Sequence, residues 1–159
     1  MTATTTAANA FHVRLADWAH DREHLQTVRE AVFVREQRIP AELEWDEAVD
    51  CRCIHVLAHD RSDRPIGTGR LKPDGQIGRM AVIAPWRGRG VGRTLLSTLL
   101  QAARQHQLTA VWLNAQTQTV PFYAQQGFQP TGEPFHEAGI EHRRMIRTTA
   151  TPEDPSTHA

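Results

Sequence analysis

Three glycines at alternate positions, Gly88, Gly90 and Gly92, separate a short apolar run at 80–83 from a helical apolar face that starts at Val91. The run is long enough for a buried strand, and Pro85, which has no N–H for a ladder, suits its end. Beyond the glycines, Val91, Leu95, Leu96, Leu99, Leu100 and Ala103 fall on one face of a helix. A glycine turn that opens a helix leaves backbone N–H groups without intrahelical acceptors, and the helix dipole adds roughly half a positive charge there. Arg87, Arg89 and Arg93, interleaved with the glycines, bring guanidinium forks suited to phosphate oxygens. The stretch reads as a pyrophosphate cradle between a strand and a helix.

Two familiar cradles do not fit. The dinucleotide pattern G-x-G-x-x-G fails because Arg93 occupies the third glycine position, and no Gly-Lys-Ser/Thr follows for a P-loop. What fits is Arg-x-x-Gly-x-Gly, from Arg87 to Gly92. There the sequence resembles the GNAT superfamily of acyl-CoA-dependent N-acyltransferases, whose signature Arg/Gln-x-x-Gly-x-Gly/Ala follows a strand and opens a helix. The competing reading of the hexapeptide is a solvated basic turn, so the rest of the chain has to decide.

The chain has the size of one domain, at 159 residues, and 40% hydrophobic with 23% charged residues is a globular balance. A formal net charge of zero gives no global field for nucleic acid, and no apolar run approaches a membrane span. Residues 1–10 lack the basic and apolar regions of a secretory signal, and two cysteines make no disulfide framework, so a cytoplasmic protein is expected. Residues 1–10 and 148–159 read as flexible tails around a single domain at 11–147.

Along that domain, 11–15 alternates Phe, Val and Leu inward as a strand, and Asp21 is a plausible N-cap for a helix running toward Glu36. Residues 38–50, with acids at 42, 44, 46, 47 and 50, are too polar for a core helix. Strands follow at 53–59, 66–71 and 76–83, with a hairpin turn at Asp74-Gly75. After the helix at 90–105 come a buried strand at 110–114 and a short helix at 118–126 ended by Gly127. A hairpin at 128–135 and 140–146 closes the order. This succession resembles the GNAT order over nearly the whole chain. The resemblance implies an α+β fold with a mixed, mostly antiparallel sheet flanked by helices. Its central parallel strands, here 76–83 and 110–114, would splay apart to admit the arm of coenzyme A.

Two further motifs carry chemistry. Tyr123-Ala-Gln-Gln-Gly-Phe128 matches the family's Tyr-x-x-x-Gly-Phe, whose tyrosine often protonates the departing thiolate. A phenol of pKa about 10 can return a proton to a thiolate whose thiol has a pKa of about 8.5 once the site is dry. Tyr123 is the only tyrosine; the alternative is an aromatic packed between Phe122 and Phe128. Gln116 stands where many relatives have Asn. The stretch Val32-Phe-Val-Arg-Glu36-Gln37, the acidic segment after it, and Phe135 to Met145 resemble the ElaA/YjcF-like branch of the superfamily.

Transfer to an amine of pKa about 10.4 requires a base. The candidates are Glu36, Glu42, Glu44, Asp46 and His142, with Glu36 and His142 preferred because each lies in a matching motif. Glu36, Gln37, Glu44 and Asp46 are expected to face the acceptor; a solvated acidic loop is the alternative. By resemblance, Met80, Ala81 and Val82 would line the pantetheine arm, with the Val82 N–H on the thioester oxygen. Arg87, Gly88, Arg89, Gly90, Val91, Gly92, Arg93 and Thr94 would hold the pyrophosphate, with Gln116, Phe122 and Tyr123 beside the thiol arm.

No metal is expected. Cys51, Cys53 and His55 share a face if extended but lack a fourth ligand, and buried thiols explain them better. His12, His20, His24, His106 and His158 are expected to face solvent; Trp18, Trp45, Trp86 and Trp112 read as core or loop packing, with a wall of the acceptor pocket as the alternative for Trp45. The expected activity is acetyl-CoA-dependent N-acetyl transfer, by direct attack in a ternary complex, to the primary amine of a small molecule or alternatively a peptide. The protein acting would be a monomer or homodimer without nucleic-acid or membrane partners. A CoA- or nucleotide-binding sensor without turnover is the other reading.

Overall fold

The computed structural model describes residues 10–150. Phe11–Ala16 (β1) leads into Trp18–Arg29 (α1), which continues as a π-helical segment Glu30–Glu36. Two single-turn helices, Ala41–Glu44 (α2) and Glu47–Asp50 (α3), precede three strands, Ile54–Asp60 (β2), Pro65–Leu71 (β3) and Gln76–Val82 (β4). Val91–Gln105 (α4), Ala110–Gln116 (β5), Val120–Gln125 (α5), Gln129–Glu137 (β6) and Ile140–Thr148 (β7) complete the chain. Among the described residues one sheet runs β1-β2-β3-β4-β5-β7-β6, with β4 and β5 as its parallel neighbours.

The two faces of the sheet are covered differently. Helix α4 lays Val91, Leu95, Leu96 and Leu99 against Val56, Ile66, Ile77, Val111 and Leu113. Close approach there depends on Gly69, where a Cβ would stand 2.5 Å from Met80 Sδ and 3.1 Å from Leu99 Cδ1. On the opposite face, Val28, Val32 and Phe33 pack on Ala81 of β4.

Between β4 and β5 only Gln76↔Trp112 and Ile77↔Leu113 are in register before the strands part. On the β3 side, Thr68↔Ala81 is followed by Arg70↔Gly78, so β4 carries one extra residue, a bulge. Arg79 within it takes φ +52°, a left-handed conformation uncommon for a residue with a Cβ.

Several boundaries differ from the sequence reading. Asp17, four residues before Asp21, caps α1 by accepting from the Ala19 N–H, while Asp21 reaches back to the Asp17 N–H at 2.8 Å and pairs with Arg14. Leu15, expected inward, is exposed, because β1 is an edge strand whose end is left uncovered. The thiols expected to be buried are not: Cys51 is exposed and Cys53 half-buried. At the C-terminal side, Thr148 ends β7, and Thr149 is buried, its N–H on Thr109 O and its hydroxyl on Leu108 O. That part of the expected tail is therefore anchored; residues 1–9 and 151–159, and His158 with them, lie outside the described residues.

The acidic segment is folded inward by a buried ion cluster. Arg29 Nε donates to Glu44 Oε2 at 2.7 Å, its Nη2 to Glu44 O at 2.9 Å and its Nη1 to Asp50 Oδ1 at 3.1 Å. Arg70 Nη1 reaches the same Asp50 oxygen at 2.7 Å. Trp18 and Trp45 lie 5.9 and 5.5 Å from the Arg29 guanidinium, so Trp45 holds this cluster and is not among the residues around the cavity below. Burial pushes the Asp50 carboxyl up, but Arg29 and Arg70 together more than offset this and hold it below the usual range.

A depressed carboxyl contributes stability that is present above the unfolded pKa, about 3.9, and lost as pH falls through the lower folded value. Urea unfolding between pH 7 and pH 2.5 is expected to show a loss of stability below about pH 4 that is smaller in Asp50→Asn. Arg29→Ala, which takes one cationic partner from each of two buried carboxylates, is expected to cost about 3 kcal/mol at neutral pH.

Candidate active site

Where β4 and β5 part, a cavity of about 740 Å³ opens toward the π-helical segment. Its walls include Met80, Ala81 and Val82 of β4, Asn114 and Gln116 of β5, Phe122 and Tyr123 of α5, and His142 of β7. Glu36, Gln37, Glu44, Arg87 and Gly92 also reach it, whereas Glu42 and Asp46 are exposed and outside it. The acceptor role expected of Asp46 therefore has no geometric basis: α3 begins beside it and turns it to solvent.

Val82 is positioned by ladder alternation. Ile83 N–H bonds Ile66 O at 3.0 Å, so the neighbouring pair Gly67↔Val82 is non-hydrogen-bonded and the Val82 N–H and C=O point away from β3, into the gap. Its carbonyl there accepts from Arg87 Nε at 2.7 Å. The N–H points to that side, where a backbone donor can meet a developing oxyanion.

The glycine loop crosses the mouth of the gap. Gly88 and Gly90 have φ of +77° and +89°, and a Cβ added at Gly88 would meet nothing within 4 Å, so the space above the turn is open. Gly90 caps α4 without a side-chain hydrogen bond, which leaves the first-turn N–H groups facing that space. Arg93 is exposed, and Thr94 is exposed with its hydroxyl on Gly90 O at 3.0 Å. The Arg89 guanidinium lies 4.9 Å from the Trp86 ring, and Val91 turns its side chain into the core. These are the residues that could hold a pyrophosphate, through backbone N–H groups with exposed arginines beside them.

Arg87 does something else. Its Nη1 and Nη2 bond both oxygens of Glu36 at 2.7 Å each, and with Nε on Val82 O the whole fork is engaged. Arg87 beside it holds the Glu36 carboxyl below its usual range. A carboxylate so engaged is a weak base, and an arginine so engaged keeps one N–H on each terminal nitrogen while its position is set by Glu36 and Val82. The pair instead ties the π-helical segment to the cradle, a link across 51 positions that residue type and spacing do not announce.

Glu44 meets the cavity but is only 2% exposed and is ion-paired to Arg29 and Arg79, so it offers no free negative charge to an amine. Gln37 and Gln116 face each other across the gap, Gln116 Nε2 donating to Gln37 Oε1 at 2.8 Å. Tyr123 is 8% exposed between Phe122 and Phe128, both edge-on to it, and burial pushes its phenol well up, so it keeps its proton. His142 Nδ1 lies 2.6 Å from Ile140 O; a carbonyl only accepts, so Nδ1 carries the hydrogen and Nε2 of the neutral ring is an acceptor. Phe135 stacks on the ring and fixes it.

Two cavity residues went unread in the sequence. Asn114 Oδ1 is buried with no hydrogen-bond partner among the described residues, and its sequence signal was an amide between the inward Leu113 and Ala115 of a strand. Arg79 was visible only as the last polar side chain before the loop. Among the described residues, no group of three or more His, Cys, Asp or Glu is placed to hold a metal ion.

A strand-split mixed sheet with a glycine cradle at the mouth of the split is the fold of acyl-CoA N-acyltransferases, and comparison with known proteins agrees. A family model described as an acetyltransferase (GNAT) domain matches residues 23–149. The chain is 39% identical over 124 residues to the uncharacterized N-acetyltransferase YjcF of Bacillus subtilis, covering 76% of this chain and 87% of that protein. An acyl-CoA N-acyltransferase structure from Pseudomonas aeruginosa superimposes with a TM-score of 0.74 at 29% identity, over 87% of this chain and 99% of that one. Escherichia coli ElaA gives 0.72 at 27%, over the same shares. The chain belongs to the GNAT acetyltransferase family, in the branch of YjcF and ElaA, and is an acyltransferase. No helix among the described residues is long and apolar enough to cross a membrane.

If Glu36 acts through Arg87, Glu36→Gln, Arg87→Gln and the double variant are expected to weaken acetyl-CoA binding by similar, non-additive factors in calorimetric titration. A loss in turnover for Glu36→Gln alone, with binding intact, would return the carboxylate to the role of base.

Proposed function

We propose that this chain transfers the acetyl group of acetyl-CoA to the primary amine of a small molecule, with His142 as proton acceptor and Tyr123 as proton donor. The observation that carries the reading is the presence around one cavity of a His142 ring whose Nδ1 donates to Ile140 O, a buried Tyr123 that holds its proton, and a Val82 N–H turned away from β3. Acetyl-CoA, when bound, supplies the thioester carbonyl that the amine attacks. The cradle at Gly88–Gly92 suits its pyrophosphate, and the parted edges of β4 and β5 suit its amide-bearing arm, which can pair with strand backbone.

The residues divide the work by proton affinity. His142 Nε2 takes a proton from the acceptor nitrogen so that the neutral amine attacks the thioester carbonyl, since Nδ1 is already committed to Ile140 O. The Val82 N–H stabilises charge on the carbonyl oxygen. Tyr123 holds its proton for the leaving sulfur, and the apolar Phe122 and Phe128 around it keep water out. The sheet gap gives both partners a place at once, which supports direct attack in a ternary complex.

Tyr123→Phe is expected to lower kcat about 10²-fold or more while calorimetric acetyl-CoA affinity changes less than twofold. His142→Gln should lower kcat similarly at pH 7 and recover as pH rises toward about 10, where an alkylamine deprotonates itself. Failure to bind acetyl-CoA would overturn the function; unchanged kcat in both variants would overturn the roles.

A further inference from the structure

The buried ion cluster beneath the cavity is unbalanced. Three guanidinium groups, Arg29, Arg70 and Arg79, meet two carboxylates, Glu44 and Asp50. Arg29 and Arg70 take well-formed hydrogen bonds to them. Arg79 gets what remains. Its Nε lies 2.9 Å from the Glu44 oxygen that Arg29 already occupies, without hydrogen-bond geometry, and its Nη2 reaches only Glu44 O at 3.4 Å.

Arg79 is also the member of the three that faces the cavity, with a side chain 27% exposed against 1% for Arg29 and 8% for Arg70. The other cavity arginine, Arg87, has its charge paired with the Glu36 carboxylate. A left-handed backbone at a residue other than glycine is a cost, retained here at the point where the sheet opens. Across that opening stands Asn114, one position past the last rung Ile77↔Leu113, with its buried Oδ1 unpartnered. One lip of the gap thus offers a surplus cation and the other an unpaired acceptor.

We infer that the acceptor carries a carboxylate as well as its amine: an amino-acid-type molecule, its carboxylate on Arg79 and an amine hydrogen on Asn114 Oδ1. This rests on the acetyltransferase reading above. The surplus of one positive charge matches a monoanion; a phosphate dianion would bring excess negative charge against Glu44. Guanidinium also offers the planar fork that a carboxylate fits.

The test is acetyl-CoA-dependent thiol release with matched pairs: phenylalanine and phenethylamine, lysine and 1,5-diaminopentane, serine and ethanolamine, with phosphoethanolamine as the phosphate arm. At least one carboxylated member is expected to exceed its decarboxylated partner about 10-fold in kcat/KM. Arg79→Gln should abolish that ratio through KM, and Arg79→Lys, which keeps the charge, should retain part of it; thermal unfolding checks that both fold. Equal rates within every pair, a preference that survives Arg79→Gln, or phosphoethanolamine outrunning serine would each overturn the inference. Turnover of no carboxylated member overturns it as well, and calorimetric acetyl-CoA binding then decides whether the acetyltransferase reading falls with it.

Discussion

Parallel pairing between β4 and β5 stops after two rungs, and the site depends on that stop. Backbone donors and acceptors that would satisfy each other in a continuous sheet are left facing a gap, the Val82 N–H among them. Unpaired backbone in a protein interior is costly, so the gap has to be held open by its surroundings. The extra residue in β4 breaks the register, Val28, Val32 and Phe33 pin Ala81 from one face, and Gln37 bridges to Gln116 over the opening. The cavity here is a sheet defect kept from closing.

The same surroundings account for the charges. Glu44 and Asp50 fold the polar segment after the π-helical turn onto the sheet, because Arg29 at the end of α1 and Arg70 on β3 hold them. A buried pair of this kind contributes less net stability than its short distances suggest, since both partners lose water. Its consequence is positional: one wall of the cavity is fixed to the helix that lies across β3 and β4. The exposed Glu36–Arg87 pair fixes the other end of that wall to the glycine loop at lower energetic stake.

Much of the frame was legible in the residues. Alternating glycines after an apolar run, the apolar face from Val91 to Ala103, Gly127 after a short helix and the Tyr123–Phe128 motif all act through local geometry, and each stands close to its expected place. The mixed sheet with a parallel centre came by resemblance, and the fold agrees with it. What misled was charge. Glu36, Glu44 and Asp46 read alike as acidic side chains, yet one is clamped by Arg87, one is buried on Arg29 and one points to solvent.

By itself, then, the sequence determined which local elements form and that a glycine turn with unsatisfied helix-end donors opens α4, because periodicity, glycine φ and helix-end donors are properties of neighbours along the chain. Only the tertiary structure decided which ionisable groups are free to act. Arg87 meets Glu36 across 51 positions, Glu44 meets Arg29 across 15, and Asn114 Oδ1, beside the point where the sheet parts, has no hydrogen-bond partner among the described residues. The state of a charge depends on what stands within a few ångströms of it, and in this chain those neighbours are brought there by the sheet.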